Sequence, residues 1–395
     1  MSGSPMRSLI RQTHMWLGLS LGGLFVLLGL TGSILVFYTE IDAILNPEIR
    51  IESSAEPDWD LALQTVRIAY PDKAGPWRFE VPGRGKAIPA RYYDPPETAG
   101  RAFAPMMVWL SPDGSRVLRR DYWGDYAMTF VYDLHYRLLL GEFGGKIVGY
   151  TGLLLFFLLL SGLWAWWPRS DWHKALRYKV KAAPLRQLRD QHKLAGLVGV
   201  PLLLMLVVTG VMLALPDESD AVLGTISGPV DAAPQPVSQN WQGAPISVST
   251  AMLRARTALP AGRIAWVEVP SGGDGAFRIR MQIPGDPSLR FPHSFVWIDQ
   301  YDGRVLAIVD ARRAGVSTTI NNWLHPLHDG SAGGLALRIL AAIAGLIPLI
   351  LFWTGLVRWR LRRTRATSQR PKPSRSIAFT TSAISPTARS SPNTP

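Results

Sequence analysis

The sequence contains no cysteine. Disulfides, covalent haem attachment through C-x-x-C-H and cysteine-ligated iron–sulfur clusters are therefore excluded, and any metal must be held by histidine or oxygen. No P-loop occurs, and no G-x-G-x-x-G follows a strand, so no nucleotide or flavin site is legible. Charge is missing altogether from four apolar runs, Met15 to Tyr38, Ile147 to Pro168, Leu194 to Pro216 and Ile339 to Val357. Each is near the ~20 residues that a helix needs to cross a bilayer. Because these runs hold no Asp or Glu, a path for transported cations finds few ligands in them. The first run exceeds the ~7–15 apolar residues of a signal peptide, and no small-residue cleavage site follows it cleanly, so it reads as a retained span.

Charge of one sign is concentrated beside these runs. Arg169, Lys174, Arg177, Lys179, Lys181, Arg186, Arg189 and Lys193 lie between the second and third, and Arg358, Arg360, Arg362, Arg363 and Arg365 follow the fourth. Cationic flanks are retained on the cytoplasmic side, which predicts cytoplasmic termini and two segments outside. The net charge of +13 is explained by these flanks and their contact with anionic lipid, not by nucleic acid. The expected order is a first helix over 1–38, an outside segment 39–134 and a second helix with its outer lead-in over 135–168. A basic loop 169–193, a third helix 194–216, an outside segment 217–327, a fourth helix with its lead-in 328–358 and a basic disordered tail 359–395 complete it. The expected fold class is a mainly α membrane protein, a four-helix bundle with two extracytoplasmic α+β domains.

The chain repeats itself. Arg11, Gly18, Thr31 and Gly32 stand around His14 at the same offsets as Arg189, Gly196, Thr209 and Gly210 around His192. Gly141, Gly152, Ser161 and Gly162 follow His135 as Gly334, Gly345, Thr354 and Gly355 follow His328. A fainter echo joins Val108-Trp109-Leu110 before Asp113-Gly114 to Val296-Trp297-Ile298 before Asp302-Gly303. Both are β-hairpin patterns. Arg278 to Ile283 alternates as a strand, and Asp60 to Tyr70 and Val248 to Thr257 read as helices.

Four of the seven histidines occupy repeat positions at span ends, His14 and His192 at one mouth, His135 and His328 at the other. Two equivalent neutral imidazoles facing one axis can supply the two axial ligands of a b-type haem, and two such pairs then mean two haems; the competing reading is of interfacial polar residues without a ligand. Gly18, Gly196, Gly152 and Gly345 would permit close backbone approach or a flat macrocycle between helices. Arg11 and Arg189, three residues before the inner histidines, share their helix face and suit haem propionates. His325 is a rival outer ligand, whereas His173 and His293 match nothing in the other half and read as surface residues. The tryptophans Trp164, Trp166, Trp167, Trp353 and Trp359 read as an interfacial belt.

Arg11-Gln12-Thr13-His14 with Thr31-Gly32, Asp133-Leu134-His135 with Gly141, Arg189 to Lys193 with Thr209-Gly210, and Leu327-His328-Asp329-Gly330 with Thr354-Gly355 form a set. In these motifs the chain resembles the PepSY-associated transmembrane family, which includes iron-regulated membrane proteins and siderophore-iron reductases. The hairpin around Trp297, Asp302, Gly303 and Val305 looks like the PepSY repeat. The resemblance implies a bis-histidine dihaem b protein of the bacterial inner membrane, an oxidoreductase taking electrons from an external donor to ferric siderophore. The alternative from another class is a haem-free PepSY protein that binds or regulates, by peptidase inhibition or surface signalling. Asp329 departs from the expected Leu-His-Thr-Gly, with histidine and glycine retained.

Overall fold

The computed structural model describes residues 5–51, 53–168, 171–239 and 243–368. The first half runs α1 (Pro5–Leu35), α2 (Tyr38–Leu45), α3 (Trp59–Ala69), strands β1 (Trp77–Glu80), β2 (Ile88–Tyr92), β3 (Met106–Leu110) and β4 (Val117–Tyr122), then α4 (Ala127–Arg137) and α5 (Gly141–Trp166). After a short α6 (Trp172–Leu176), the second half runs α7 (Pro184–Ala214), α8 (Pro216–Ser227), α9 (Val248–Ala258), β5 (Arg263–Val269), β6 (Ala276–Gln282), β7 (Ser294–Asp299) and β8 (Val305–Val309), then α10 (Val316–His328) and α11 (Gly334–Ser368). Four helices are long and apolar enough to cross a membrane, and they coincide with the four uncharged runs.

The sheet is where expectation and structure part. The two outside segments do not make separate sheets. All eight strands form one antiparallel sheet in the order β4-β3-β2-β1-β5-β6-β7-β8. The junction is the pairing of β1 with β5, from Trp77 opposite Val269 to Glu80 opposite Trp266. Unpaired strand edges are costly in isolation, and joining two four-stranded meanders removes one edge from each. Both expected hairpins are present, and each turn uses a glycine at positive φ, Gly114 and Gly303, where a side chain would strain the backbone.

Strand alternation sorts the sheet into two faces. One buries Trp77, Phe79, Ile88, Met106, Val108, Phe277, Ile279, Val296 and Ile298 against α3 and α9. Those helices form because Trp59, Ala62 and Val66, and Val248, Ala251, Met252 and Ala255, recur at helical spacing, capped by Asp58 and Ser247. On the other face, Met107 and Trp109 pack with Trp123, Tyr126, Met128, Tyr38 and Ile41, which ties the sheet to α2 and α4.

Within the bundle α1 packs along α11, α5 along α7 and α7 along α11, so α1 and α7 lie diagonally. Close crossings are made at Gly29 against Gly345, where Ser33 Oγ donates to Ala342 O at 2.8 Å, and at Gly149 and Gly152 against Leu215 and Val211. Gly152 and Gly345 therefore serve helix crossing.

Two expected boundaries move. The segment 169–193 is not all loop, because α7 starts at Pro184 and carries Arg186, Arg189 and His192 on its first turns. The tail expected from 359 is helical to Ser368, and its remainder lies outside the described residues. Polar residues on a long helix end look like loop in sequence, yet they extend a helix whose apolar part is already nucleated.

Candidate metal centre

Both histidine pairs form. His14 on α1 and His192 on α7 face each other across the bundle diagonal with ring centroids 6.2 Å apart and planes at 85°. His135 and His328 meet at the sheet end, 6.1 Å apart at 48°. The outer histidines do not sit on the spans themselves. They occupy the last turns of α4 and α10, separate helices joined to α5 and α11 by turns with positive φ at Leu138, Leu139, Gly330 and Gly334. These turns let α4 and α10 return the imidazoles toward the bundle.

Each ring is held the same way. Nδ1 of His14 meets Leu158 O at 3.2 Å and Ser161 Oγ at 3.0 Å, and Nδ1 of His192 meets Leu351 O and Thr354 Oγ1, both at 3.0 Å. Nδ1 of His135 meets Thr31 Oγ1 at 3.0 Å, and Nδ1 of His328 meets Thr209 Oγ1 at 3.0 Å. A carbonyl beside Nδ1 favours the tautomer with its proton there, which leaves the Nε2 lone pair free for a metal. For His135 and His328, on helices outside the four spans, burial pushes the pKa down to about 4, so the rings stay neutral.

The glycine after three of the four hydroxyls makes space for the ring. A Cβ at Gly32 would lie 2.9 Å from Cε1 of His135, at Gly162 2.9 Å from Cε1 of His14, and at Gly210 2.8 Å from Cε1 of His328. At Gly355 the distance to Cε1 of His192 is a relaxed 3.7 Å. The Thr-Gly and Ser-Gly pairs, which look in sequence like helix-packing motifs, thus split into a hydroxyl that orients an imidazole and a glycine that admits it.

The pairs suit a haem. A metal–imidazole bond of about 2 Å, with the ring centre about 1 Å beyond the nitrogen, puts two trans imidazole centroids about 6 Å apart. Among the described residues no group of three or more His, Cys, Asp or Glu could hold a metal ion, so each pair needs its other ligands from elsewhere. A porphyrin supplies four. One turn beyond each inner histidine there is room, since a Cβ at Gly18 would meet nothing within 4 Å and at Gly196 only Leu351 at 3.7 Å.

The other expected residues divide. Arg11 is exposed, and Arg189 is half-exposed beside Asp190 at 3.3 Å. Both lie within electrostatic reach of the half-buried Arg358, which sequence reasoning had assigned only to orientation. Its signal was helical spacing, four residues after Thr354. The ring paired with His135 is that of His328, and His325 has other neighbours. Its Nδ1 lies 3.3 Å from Asp329, and its ring abuts Phe291. His293 is not a plain surface residue either, since its Nδ1 lies 3.0 Å from the buried Asp286. His173 is exposed.

Thr209→Val tests the orienting role. It keeps shape and removes the acceptor, and loss of a group that holds a ligating imidazole typically weakens metal binding about 10–100-fold. With haem at both pairs, retention at the outer pair during dilution should fall accordingly and the inner pair should be unaffected.

Helices of this length and apolarity, a sheet built on one end and paired histidines at both ends define a four-span membrane protein with an extramembrane sheet domain. The chain belongs to the PepSY-associated TM region family, whose model matches residues 11–362. No curated protein matches the chain.

Proposed function

We propose that the protein is a dihaem b electron-transfer protein of the bacterial inner membrane that serves the reduction of ferric siderophore iron on the side of the sheet. The observation that carries this reading is the pair of imidazole couples at 6.2 and 6.1 Å, each with Nδ1 engaged. Bound there, haem supplies one-electron exchange at each end of the bundle. The basic flanks support cytoplasmic termini and an outside sheet. His14 and Thr31 lie on one straight run of α1, which at 1.5 Å per residue sets the two levels about 25 Å apart. The chain's own residues therefore position redox centres at both faces and keep charge out of the region between them. Electrons come from an external donor, since no nucleotide or flavin motif is present. Fe(II) is held less tightly than Fe(III) by hard oxygen ligands, so reduction releases the metal.

The test is the absorption spectrum and pyridine haemochrome content of detergent-purified protein from haem-replete cells. Two b haems per chain support the reading. A colourless protein overturns it and leaves a haem-free binding or regulatory module as the working model.

A further inference from the structure

The face of the sheet opposite α3 and α9 carries more guanidinium than its carboxylates neutralise. Across one row, Arg91 on β2 stands opposite Arg78 on β1, Arg78 opposite Glu268 on β5, and Glu268 opposite Arg278 on β6. In the neighbouring row Glu80 stands opposite Trp266, Trp266 opposite Arg280, and Arg280 opposite Phe295. Two of the cations are matched. Arg278 pairs with Glu268 at 2.7 Å, and Arg290 forks onto Glu80 at 3.0 and 3.1 Å. Arg78, Arg91 and Arg280 have no carboxylate partner among the described residues.

What surrounds these three is mainly aromatic. Trp266 lies between Arg78 at 4.6 Å and Arg91 at 5.1 Å, Arg280 sits 4.8 Å from the Phe295 ring, and Arg78 donates to Tyr93 Oη at 2.5 Å. Cation–π contact offsets part of the desolvation, but it offers no acceptor to an N–H in the guanidinium plane. The Nε atoms of both Arg91 and Arg280 are buried with no hydrogen-bond partner. Burial and the nearby Arg78 and Arg278 push the Arg280 pKa down to about 9. A partly buried, mutually repelling set with idle donors is costly unless an anion completes it.

Two chains of ring contacts lead from this face toward the helices that carry the outer histidine pair. Arg91 lies 5.6 Å from the Trp123 ring, Trp123 is 5.1 Å from Tyr132, and Tyr132 is one turn before His135 on α4. On the other flank Arg290 is 5.3 Å from Phe291, which is 6.1 Å from His325, one turn before His328 on α10. The site opens to solvent at Arg278, which is 39% exposed.

We propose that Arg78, Arg91 and Arg280 form a carboxylate-binding site above the outer histidine pair. The carboxylates belong either to a soluble ferric polycarboxylate or to the propionates of a haem on His135 and His328. Planar guanidiniums suit either, because they fork onto carboxylate oxygens. That the bound anion carries iron, or that it belongs to a haem, rests on the function proposed above. Anion recognition itself does not.

The experiment is calorimetric titration of the full-length protein in detergent with gallium(III) citrate, a redox-inert analogue of the ferric complex, with the haem spectrum recorded on each sample. Saturable binding to wild type, weakened about tenfold or more in Arg91→Gln and in Arg280→Gln at unchanged haem content, assigns the site to a soluble polycarboxylate. Partial recovery in Arg280→Lys and weakening by salt belong to the same outcome. No gallium citrate binding to wild type, together with a displaced or lost outer-haem signal in the Arg91→Gln/Arg280→Gln double variant, assigns it to propionates. Neither binding nor a spectral change overturns the proposal. A colourless wild type that still binds gallium citrate would remove the haem reading and leave the anion site standing. The variants should melt no lower than wild type, because each removes an uncompensated, desolvated charge.

Discussion

His135→Ala and His328→Ala should each yield protein with one b haem in place of two, and the survivor should be the same in both. His14→Ala and His192→Ala should each remove the other haem. The expectation follows from the pairing, since each couple draws its two rings from different halves of the chain, α1 with α7 and α4 with α10. Loss of either ring leaves one coordination position without a protein ligand, and no third histidine, cysteine or carboxylate completes a cluster among the described residues. His325 is the nearest substitute at the outer site, but it is turned toward Asp329 and Phe291. His325→Ala should therefore retain both haems. Haemochrome stoichiometry with low-temperature spectra checks all five variants. If His325→Ala lost the outer haem while His328→Ala kept it, the assignment of the pair would be wrong.

The second large effect separates two glycines that the repeat makes equivalent. Gly162→Ala should weaken haem retention at the inner site, on the order of 10–100-fold, because the new methyl would stand 2.9 Å from Cε1 of His14 and turn that ring off its axis. Gly355→Ala should leave retention within about twofold, since its methyl would meet Cε1 of His192 at 3.7 Å, an ordinary contact. The measurement is haem transfer to apomyoglobin from each variant. Equal losses in both would show that these glycines act through helix packing and not through the rings they face.

Much of this was legible because the membrane imposes strong constraints on sequence. A span has to satisfy its backbone internally and keep charge out, so four uncharged runs could hardly be anything else. Repetition at fixed offsets then picked His14, His192, His135 and His328 out of seven histidines. The helices near Asp60 and Val248 were equally plain, because an apolar stripe at helical spacing is a local property. β1, β2 and β5 were not foreseen. Short strands such as Trp77–Glu80 are defined by the neighbours they pair with, and those neighbours lie far along the chain. α2 and α8, at the sheet-side ends of the first and third spans, were missed too, since they continue helix-like sequence across a break in direction.

The sequence by itself determined the four spans, the doubled motif and the histidines at its repeat positions, since hydropathy and spacing are written along one chain. Only the tertiary structure decided that two outside segments share one sheet, that Thr31, Ser161, Thr209 and Thr354 aim imidazoles, and that Arg78, Arg91 and Arg280 come together on one sheet face with no carboxylate partner among the described residues. The physical reason is common to all three. Strand pairing, hydrogen bonds to imidazole rings and electrostatic balance are relations between groups distant in sequence, and they come into being when packing of the core brings those groups within a few ångströms.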